Sequence, residues 1–486
     1  MLCANISFLC ALAAVLIVAS ALGAQTAADL PAGAAPKPVE TPHFPDRLHA
    51  FIWRNWSLVD PPRLAKVLDT SVENVQAVAE SLGLPAARPV PPEQEARGYI
   101  TVIRRNWHLL PYDQLLVLLG MSADQLAYTL REDDFLFIKL GLLKPACPPL
   151  RYTPPTAEAR QRAGEIKQLV QETFGGELLE PGEPRFGFIQ EFSRPPALPP
   201  PLAGGGRGRA SGELRFIYSY FALYGDPLAN PNLDPYPDGL LARLAELGVN
   251  GIWMHTVLST LAPSETFPEF GAGHEARLAN LRKLVERAKR YGISIYLYMN
   301  EPRAMPAAFF GSAGVSPALA GGTPALPGAG GTPALPGTPA ARAEMRGVHE
   351  GDHYTLCTSA PQVREWLSGA LAFVFKNVPG LGGVFTITAS ENLTNCASHG
   401  RHKDCPRCGK RTPAEIIAEV NTAIEQGVHR GNPEAKVIVW DWGWGDFAGE
   451  AIAKLPKSVW FQSVSEWDKP IERGGVKSTV GEYSIS

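Results

Sequence analysis

The chain has 486 residues, and its length predicts two or three domains with a large buried core. Hydrophobic residues make up 45% and charged residues 19%, a composition that excludes a chain disordered throughout. Lys and Arg (45) nearly balance Asp and Glu (48), and the formal net charge of −3 excludes a general nucleic-acid-binding surface.

The first 24 residues contain the apolar run FLCALAAVLIVASAL followed by small residues. This pattern predicts a signal peptide over residues 1–24, cleaved after Ala21 or Ala24. An uncleaved membrane anchor is the alternative, because the run is nearly long enough to span a bilayer. Both interpretations predict a secreted or periplasmic protein that meets a membrane only through this segment. Residues 25–45 are rich in Ala and Pro and are predicted to be a flexible leader.

Residues 46–150 contain an internal repeat with an offset of 51 residues and no gap. Ile52, Arg54, Asn55 and Trp56 recur as Ile103, Arg105, Asn106 and Trp107. Apolar positions at helical spacing, with Ser71 and Ser122 as N-caps, predict two helical hairpins. The first hairpin imitates a DNA-binding helix-turn-helix, but its second helix carries Glu73 and Glu80 and no Lys or Arg, so phosphate would be repelled and nucleic acid is not expected as a partner. We therefore predict a helical domain whose partner is unknown.

Residues 151–194 are predicted to form a small α/β segment with a helix over 157–174 and an extended stretch over 185–192. Residues 195–211 are rich in Pro and Gly and are predicted to be a linker. The rest of the chain, residues 212–486, alternates short β-rich runs with helical patterns, which requires parallel strands and right-handed crossovers.

This alternation predicts an α/β fold, a (β/α)8 barrel of the TIM type. The predicted strands are residues 214–224, 249–255, 293–300, 382–391, 436–444, 459–465 and 481–486. A doubly wound open sheet is the alternative, but no strand leads into a G-x-G-x-x-G turn. Because the sequence stops in the seventh strand, we expect a chain truncated at its C-terminus. Residues 311–341 repeat the octapeptide GGTPALPG without charge or aromatic side chains, and they are predicted to be a disordered insertion.

Active sites of such barrels lie at the carboxyl ends of the strands, and here those ends are rich in polar and Trp residues. The candidate substrate-binding residues are His255, Asn300, Glu301, Asn392, Asp441, Trp442, Trp444 and Trp467. Trp rings stack on the apolar faces of sugar rings, and paired carboxylates cleave glycosidic bonds. Caps and loop-ordering roles are the structural alternative for Glu301, and barrel packing is the alternative for the Trp residues.

The half of the chain from Leu214 onward resembles the catalytic barrel of glycoside hydrolases, most nearly the β-N-acetylhexosaminidase-like kind. In that family a Glu after the fourth strand is the general acid, and the resemblance implies this role for Glu391. Where those enzymes place an Asp directly before the acid, this chain has Ser390. Glu466, at the end of the sixth predicted strand, is predicted to be the second catalytic carboxylate.

The sharpest motif is a C-x2-H-x5-C-x2-C pattern formed by Cys396, His399, Cys405 and Cys408. Two tight pairs of soft ligands with this spacing predict a structural zinc site, and four protein ligands leave no open position for catalysis. His402 is an alternative fourth ligand. A disulfide is the other interpretation, with Cys357 as a further partner, because export favours oxidation.

Three functions follow from these patterns. The first is a secreted glycoside hydrolase that uses a carbohydrate substrate and no organic cofactor. The second is a non-catalytic carbohydrate-binding barrel, and the third is a partner-binding helical module on a degenerate barrel.

Overall fold

The computed structural model describes part of the chain: residues 26–133, 136–176, 185–194, 214–218, 225–311, 339–389, 392–463, 469–473 and 475–479. The predicted signal peptide, the linker, most of the insertion and the last predicted strand lie outside these ranges. Two compact units make up the chain, Met1–Gly187 and Phe188–Ser486. Within the described ranges, no helix combines the length and the apolar character that crossing a bilayer requires.

The first unit is helical. Its helices are α1 (Arg47–Asn55), α2 (Pro61–Leu68), α3 (Val72–Ser81), α4 (Pro92–Arg97), α5 (Tyr99–Asn106), α6 (Tyr112–Leu119), α7 (Ala123–Glu132), α8 (Leu136–Lys139) and α9 (Ala157–Phe174). The bounds of α6 and α7 follow those of α2 and α3 by 51 residues at both ends. Ser71 and Ser122 cap α3 and α7 by accepting hydrogen bonds from the backbone N–H groups of Asn74 and Gln125, as the sequence predicts.

Two local predictions in the first half of the chain need correction. The described part of the leader packs on the helical unit: Leu30 is buried, and Ala32 and Pro36 accept hydrogen bonds from the backbone of Lys144 and Ala146 at 2.7 and 3.0 Å. Backbone hydrogen bonding of this kind fixes a Pro-rich segment that has no periodicity of its own. The stretch predicted as extended contains a helix, α10 (Gly187–Ser193), which buries Ile189.

The second unit holds a parallel sheet. Its strands are β1 (Phe216–Tyr218), β2 (Gly251–His255), β3 (Ser294–Met299), β7 (Gly383–Ile387), β8 (Lys436–Trp440) and β9 (Trp460–Gln462), hydrogen-bonded in that order. The helices between them are α11 (Asp238–Glu246), α12 (His274–Lys289), α14 (Pro361–Asn377), α15 (Pro413–Gly431) and α16 (Ala448–Lys454). Neighbouring strands follow chain order without the reversal that a doubly wound sheet has, so the described sheet is half-barrel-like.

A small antiparallel sheet interrupts the connection after β3. It consists of β4 (Met305–Pro306), β5 (Arg346–Glu350) and β6 (His353–Leu356) in the order β4-β6-β5, with helix α13 (Pro339–Met345) leading into β5. A hairpin, β10 (Pro470–Arg473) and β11 (Val476–Thr479), follows β9. The strands of the small sheet therefore lie on either side of the predicted insertion, residues 311–341, in the connection that follows β3.

The two faces of the parallel sheet differ in chemistry because side chains alternate along each strand. One face is aliphatic and joins the helices in the core through Ile252, Met254, Ile295, Leu297, Val384, Val437 and Val439. The other is aromatic and carries Phe216, Trp253, Tyr296, Tyr298, Phe385 and Trp440. Ring centroids of Trp253 and Tyr298 lie 4.5 Å apart, and burial raises the pKa of Tyr296 to about 12. Apart from Thr386, which donates a hydrogen bond to Asn421, the polar residues of these strands lie at the strand ends.

Candidate functional site

The carboxyl ends of β2 and β3 form a buried polar corner. His255 ends β2, and its Nε2 atom lies 3.4 Å from Nη2 of Arg303, which follows β3. Both residues are 8% exposed, and the His255 ring lies 5.8 Å from the Tyr298 ring of the aromatic face. His255 is among the residues predicted from the sequence, whereas Arg303 was missed, because its only signal is a basic residue shortly after a predicted strand end.

Glu301 has a structural role in this corner. Its Oε1 atom accepts a hydrogen bond from the backbone N–H of Leu258 at 2.7 Å, and Oε2 accepts one from the N–H of Arg303 at 3.1 Å. The carboxylate, 1% exposed, ties the loop after β2 to the loop after β3. Neighbouring Asn300 is fully buried. Asn300 and Glu301 therefore belong to the buried part of the polar corner.

The loop after β7 is fixed by its own side chains. Asn395 donates from Nδ2 to the carbonyl of Thr388 at 2.5 Å, and Ser398 accepts hydrogen bonds from the N–H groups of Thr394 and Asn395 at 3.2 Å. Ala304, after β3, donates its N–H to Leu393 at 3.2 Å, which joins this loop to the polar corner. The predicted acid Glu391 lies outside the described residues. Asn392, the next residue and again a described one, is 8% exposed.

The end of β8 carries one of the two predicted Trp residues at the surface and the other in the core. The Trp442 ring lies 5.0 Å from the ring of Trp440, the last residue of β8, and is half-buried. Trp444 is 1% exposed and belongs to the hydrophobic core, so its ring face is closed to a ligand. This corrects its prediction as a substrate-binding residue: the strand ends at Trp440, and strict alternation ends with it.

Asp441 is half-buried at the same edge. Its Oδ2 atom accepts a hydrogen bond from the hydroxyl of Ser463 at 2.7 Å, which ties the end of β8 to the residue after β9. The other predicted residues of this part of the rim, Glu466 and Trp467, lie outside the described residues. We call the carboxyl edge of the parallel sheet the rim. Its described part combines the Asp441 carboxylate and the partly exposed Trp442 indole with the corner of His255 and Arg303.

Four buried cysteines cluster beside this rim: Cys357, Cys396, Cys405 and Cys408. Their sulfur atoms all lie within 4.8 Å of one another, and Sγ of Cys357 is 3.7 Å from that of Cys405 and 3.6 Å from that of Cys408. None of the four is in a disulfide. A tetrahedral zinc ion with Zn–S bonds of about 2.3 Å separates its sulfurs by about 3.8 Å, so the cluster has the dimensions of a tetrathiolate site.

The structure replaces one predicted ligand of this site. Cys357, just after β6, occupies the position predicted for His399. The His399 ring pairs with Glu350 instead, with Nδ1 2.8 Å from Oε2. The reason is local: His399 has a positive φ of 55°, in a kinked turn, and its side chain is partly exposed whereas the cysteines are buried. His402 is also absent from the cluster of described residues.

Polar groups surround the sulfurs. The Arg407 guanidinium donates from Nε to Sγ of Cys357 at 3.4 Å, Ser359 Oγ lies 3.2 Å from Sγ of Cys408, and Thr355 Oγ1 lies 3.6 Å from Sγ of Cys396. Hydrogen bonds from Cys396, from the other two cysteines and from Arg407 hold the pKa of the Cys357 thiol well below its usual range, whereas the hydrogen bonds to Cys357 raise the pKa of Cys396 and Cys408 above theirs. The sulfur of Cys357 therefore deprotonates first. A deprotonated sulfur is the form that binds a metal ion.

Because Gly347 has no side chain, it leaves room for Cys396 of the cysteine cluster and for Thr355. A Cβ atom there would lie 2.2 Å from Thr355 Oγ1 and 2.6 Å from Sγ of Cys396. We expect Gly347→Ala to lower the free energy of unfolding of the second unit by about 1–3 kcal/mol, the usual cost of overpacking, as measured by urea denaturation. Gly449→Ala is the control, because a Cβ atom at that position would have no neighbour within 4 Å and α16 gains a better helix former. Equal stability of both variants would contradict the expectation.

Comparison with known proteins gives little. No family model and no curated protein matches the sequence. Among solved structures, a glycoside hydrolase family 20 β-N-acetylglucosaminidase is 14% identical, with 52% of this chain and 51% of that chain covered and a TM-score of 0.28. Flavobacterium johnsoniae chitobiase is 12% identical (47% and 31% covered, TM-score 0.26), and a Nostoc punctiforme debranching enzyme is 15% identical (48% and 51% covered, TM-score 0.25). The chain spans about half or less of each structure. TM-scores this low assign neither a family nor an activity.

Proposed function

We propose that the second unit is a glycoside hydrolase whose site lies at the carboxyl edge of the parallel sheet. The observation that carries the proposal is the pairing of a partly exposed indole, Trp442, with a carboxylate, Asp441, at the edge that also holds His255 and Arg303. An indole face with carboxylates and amides beside it is suited to a sugar ring and its hydroxyls. The proposal includes closure of the sheet into a (β/α)8 barrel and a secreted or periplasmic location.

In this proposal Glu391 is the general acid and Glu466 the second carboxylate. Glu391 comes directly before the loop that Asn395 and Ser398 fix, so a rigid segment follows it. An acid beside apolar rings stays protonated near neutral pH because burial disfavours its charged form. Protonation of the glycosidic oxygen then lets the leaving group depart, while the second carboxylate acts as base or nucleophile.

A non-catalytic carbohydrate-binding barrel is the second candidate. It would use the same indole and hydroxyl-binding groups without the acid. A panel of chromogenic glycosides separates the two functions: release of chromophore above the buffer rate supports the hydrolase, whereas saturable sugar binding without release supports the binding protein.

Trp442 gives a prediction common to both candidates. We expect Trp442→Ala to weaken oligosaccharide binding by about 2- to 13-fold, because a stacking contact with an aromatic ring contributes about 0.5–1.5 kcal/mol. The affinity is measured by isothermal titration calorimetry. Trp460→Ala is the matched control, since Trp460 is exposed on the same sheet but pairs with Ile438 in the middle of β8. Similar binding by both variants would remove Trp442 from the site.

We also propose that Cys357, Cys396, Cys405 and Cys408 hold one structural zinc ion. The sulfur separations of 3.6 and 3.7 Å and the full burial of the ligands support a closed tetrahedral site. Its ligands come from three segments: the end of β6, the loop after β7 and the turn before α15. The ion would supply cross-linking and no catalysis, and it would hold the small sheet against the loop that follows Glu391.

A further inference from the structure

The two helical repeats of the first unit meet through equivalent residues. Asn55 Nδ2 donates to Asn106 Oδ1 at 2.8 Å, and Asn106 Nδ2 donates to Asn55 Oδ1 at 2.7 Å. The same reciprocity holds one residue earlier: Arg54 donates from Nη1 to the carbonyl of Arg105 at 3.0 Å, and Arg105 donates to the carbonyl of Arg54 at 2.8 Å. In each pair, a residue contacts its own counterpart 51 positions away.

Reciprocal contacts between equivalent residues are the mark of a two-fold interface. Each Asn also donates its second amide hydrogen within its own helix, to Phe51 and to Val102, both at 2.8 Å. The two amides are fully buried, and both hydrogens of each Nδ2 are used. A polar pair that is satisfied only when α1 and α5 meet in this register disfavours other registers, because a shift would leave buried amides without partners.

We propose that the two repeats of the helical unit dock on each other as the two subunits of a homodimer do. Each repeat carries one self-complementary docking face, centred on Asn55 in the first repeat and on Asn106 in the second. The partner of that face is the other copy of the same repeat. The face is therefore occupied within the chain, and a foreign partner would have to bind elsewhere on the unit. This proposal is independent of the hydrolase and zinc proposals.

The reciprocal pair makes a pH-dependent test possible. In Asn55→Asp/Asn106→Asp the two carboxyl groups would face each other, and two such groups in contact cannot both ionise, so the pKa of one is raised. A group with a raised folded-state pKa stabilises the fold below that pKa, and the stability is lost as pH rises through it. We therefore expect α1 and α5 of the double variant to stay protected at about pH 4, to lose about tenfold in protection per pH unit between the ordinary Asp pKa of about 3.9 and the raised pKa, and to lose no more above the raised pKa.

Hydrogen exchange of the full chain, read by mass spectrometry on peptides from α1 and α5, measures this directly against the wild type at each pH. The control is Ser71→Asp/Ser122→Asp, which changes another pair 51 residues apart, at N-caps that tolerate Asp and whose side chains each accept a hydrogen bond from their own helix. Loss of protection with rising pH in the Asn pair alone supports the proposal. The same pH profile as the wild type would overturn it.

If the double Asp variant is unfolded at every pH, an alanine cycle decides. Asn55→Ala and Asn106→Ala should lower the protection of α1 and α5 equally, and the double Ala variant should cost little more than either single variant, because each single change already breaks the shared pair. Additive, unequal losses would show that the two residues act separately and would overturn the fused-dimer proposal.

Discussion

Cys357→Ser is expected to release the bound metal from the purified protein, which should otherwise contain about one zinc per chain. A hydroxyl in place of one buried thiolate removes one of the four ligands, so the three remaining thiolates no longer complete the tetrahedral coordination of the metal ion. The metal content is measured by inductively coupled plasma mass spectrometry, and the ligand field by the visible spectrum after Co²⁺ replacement. The loss should also loosen the small sheet and the loop after β7, because Cys357 lies on one and Cys396 on the other.

His399→Ala is the matched control for this prediction. The sequence motif makes His399 a ligand, whereas the structure pairs it with Glu350 outside the cluster. The structure therefore predicts that His399→Ala keeps its metal and a tetrathiolate Co²⁺ spectrum. Metal loss in His399→Ala with retention in Cys357→Ser would restore the ligand set expected from the spacing. A stoichiometric disulfide in place of metal would exclude the zinc site.

Glu391→Gln is expected to lower the rate of glycoside hydrolysis on the order of 10²–10⁴-fold while the protein stays folded. Gln keeps the shape of the side chain and most of its hydrogen bonding, but it has no proton to give to the leaving group. Aryl glycosides with acidic leaving groups should suffer least, because they depart with little protonation. The rates are measured as kcat and KM over a leaving-group series, with folding checked by circular dichroism.

Glu275→Gln is the control for loss of one negative charge, since this side chain is 79% exposed in the first turn of α12. It should leave kcat unchanged. Full activity of Glu391→Gln on an unactivated glycoside would transfer the role of general acid to Glu466.

The sheet could be read from the sequence because its signal is local. Six predicted strands match the strands of the parallel sheet, although their ends differ by a few residues. Alternating short β-rich runs and helical patterns carry that information directly. By contrast, the β8 region reads as one long run, and only tertiary packing ends the strand at Trp440 and turns Trp444 into the core.

The ligand set of the cysteine cluster could be predicted only in part for a different reason. Cys396, Cys405 and Cys408 are close in sequence, so their spacing signals a site. Cys357 lies in a separate segment, and only the pairing of β6 with β4 and β5 carries it to the other three. The spacing of His399 from Cys396 and Cys405 made this histidine the expected fourth ligand in place of Cys357. Sequence spacing does not show in which direction a side chain points.

Hydrolysis of an unactivated oligosaccharide in H₂¹⁸O, followed by mass spectrometry, tests the central claim most directly. If the rim of the second unit cleaves glycosidic bonds, the wild-type chain will release fragments in which one new end carries one ¹⁸O atom, and Glu391→Gln will release almost none while still binding the sugar. Binding of the oligosaccharide by the wild-type chain without any cleavage would contradict the hydrolase and assign the rim to carbohydrate binding alone.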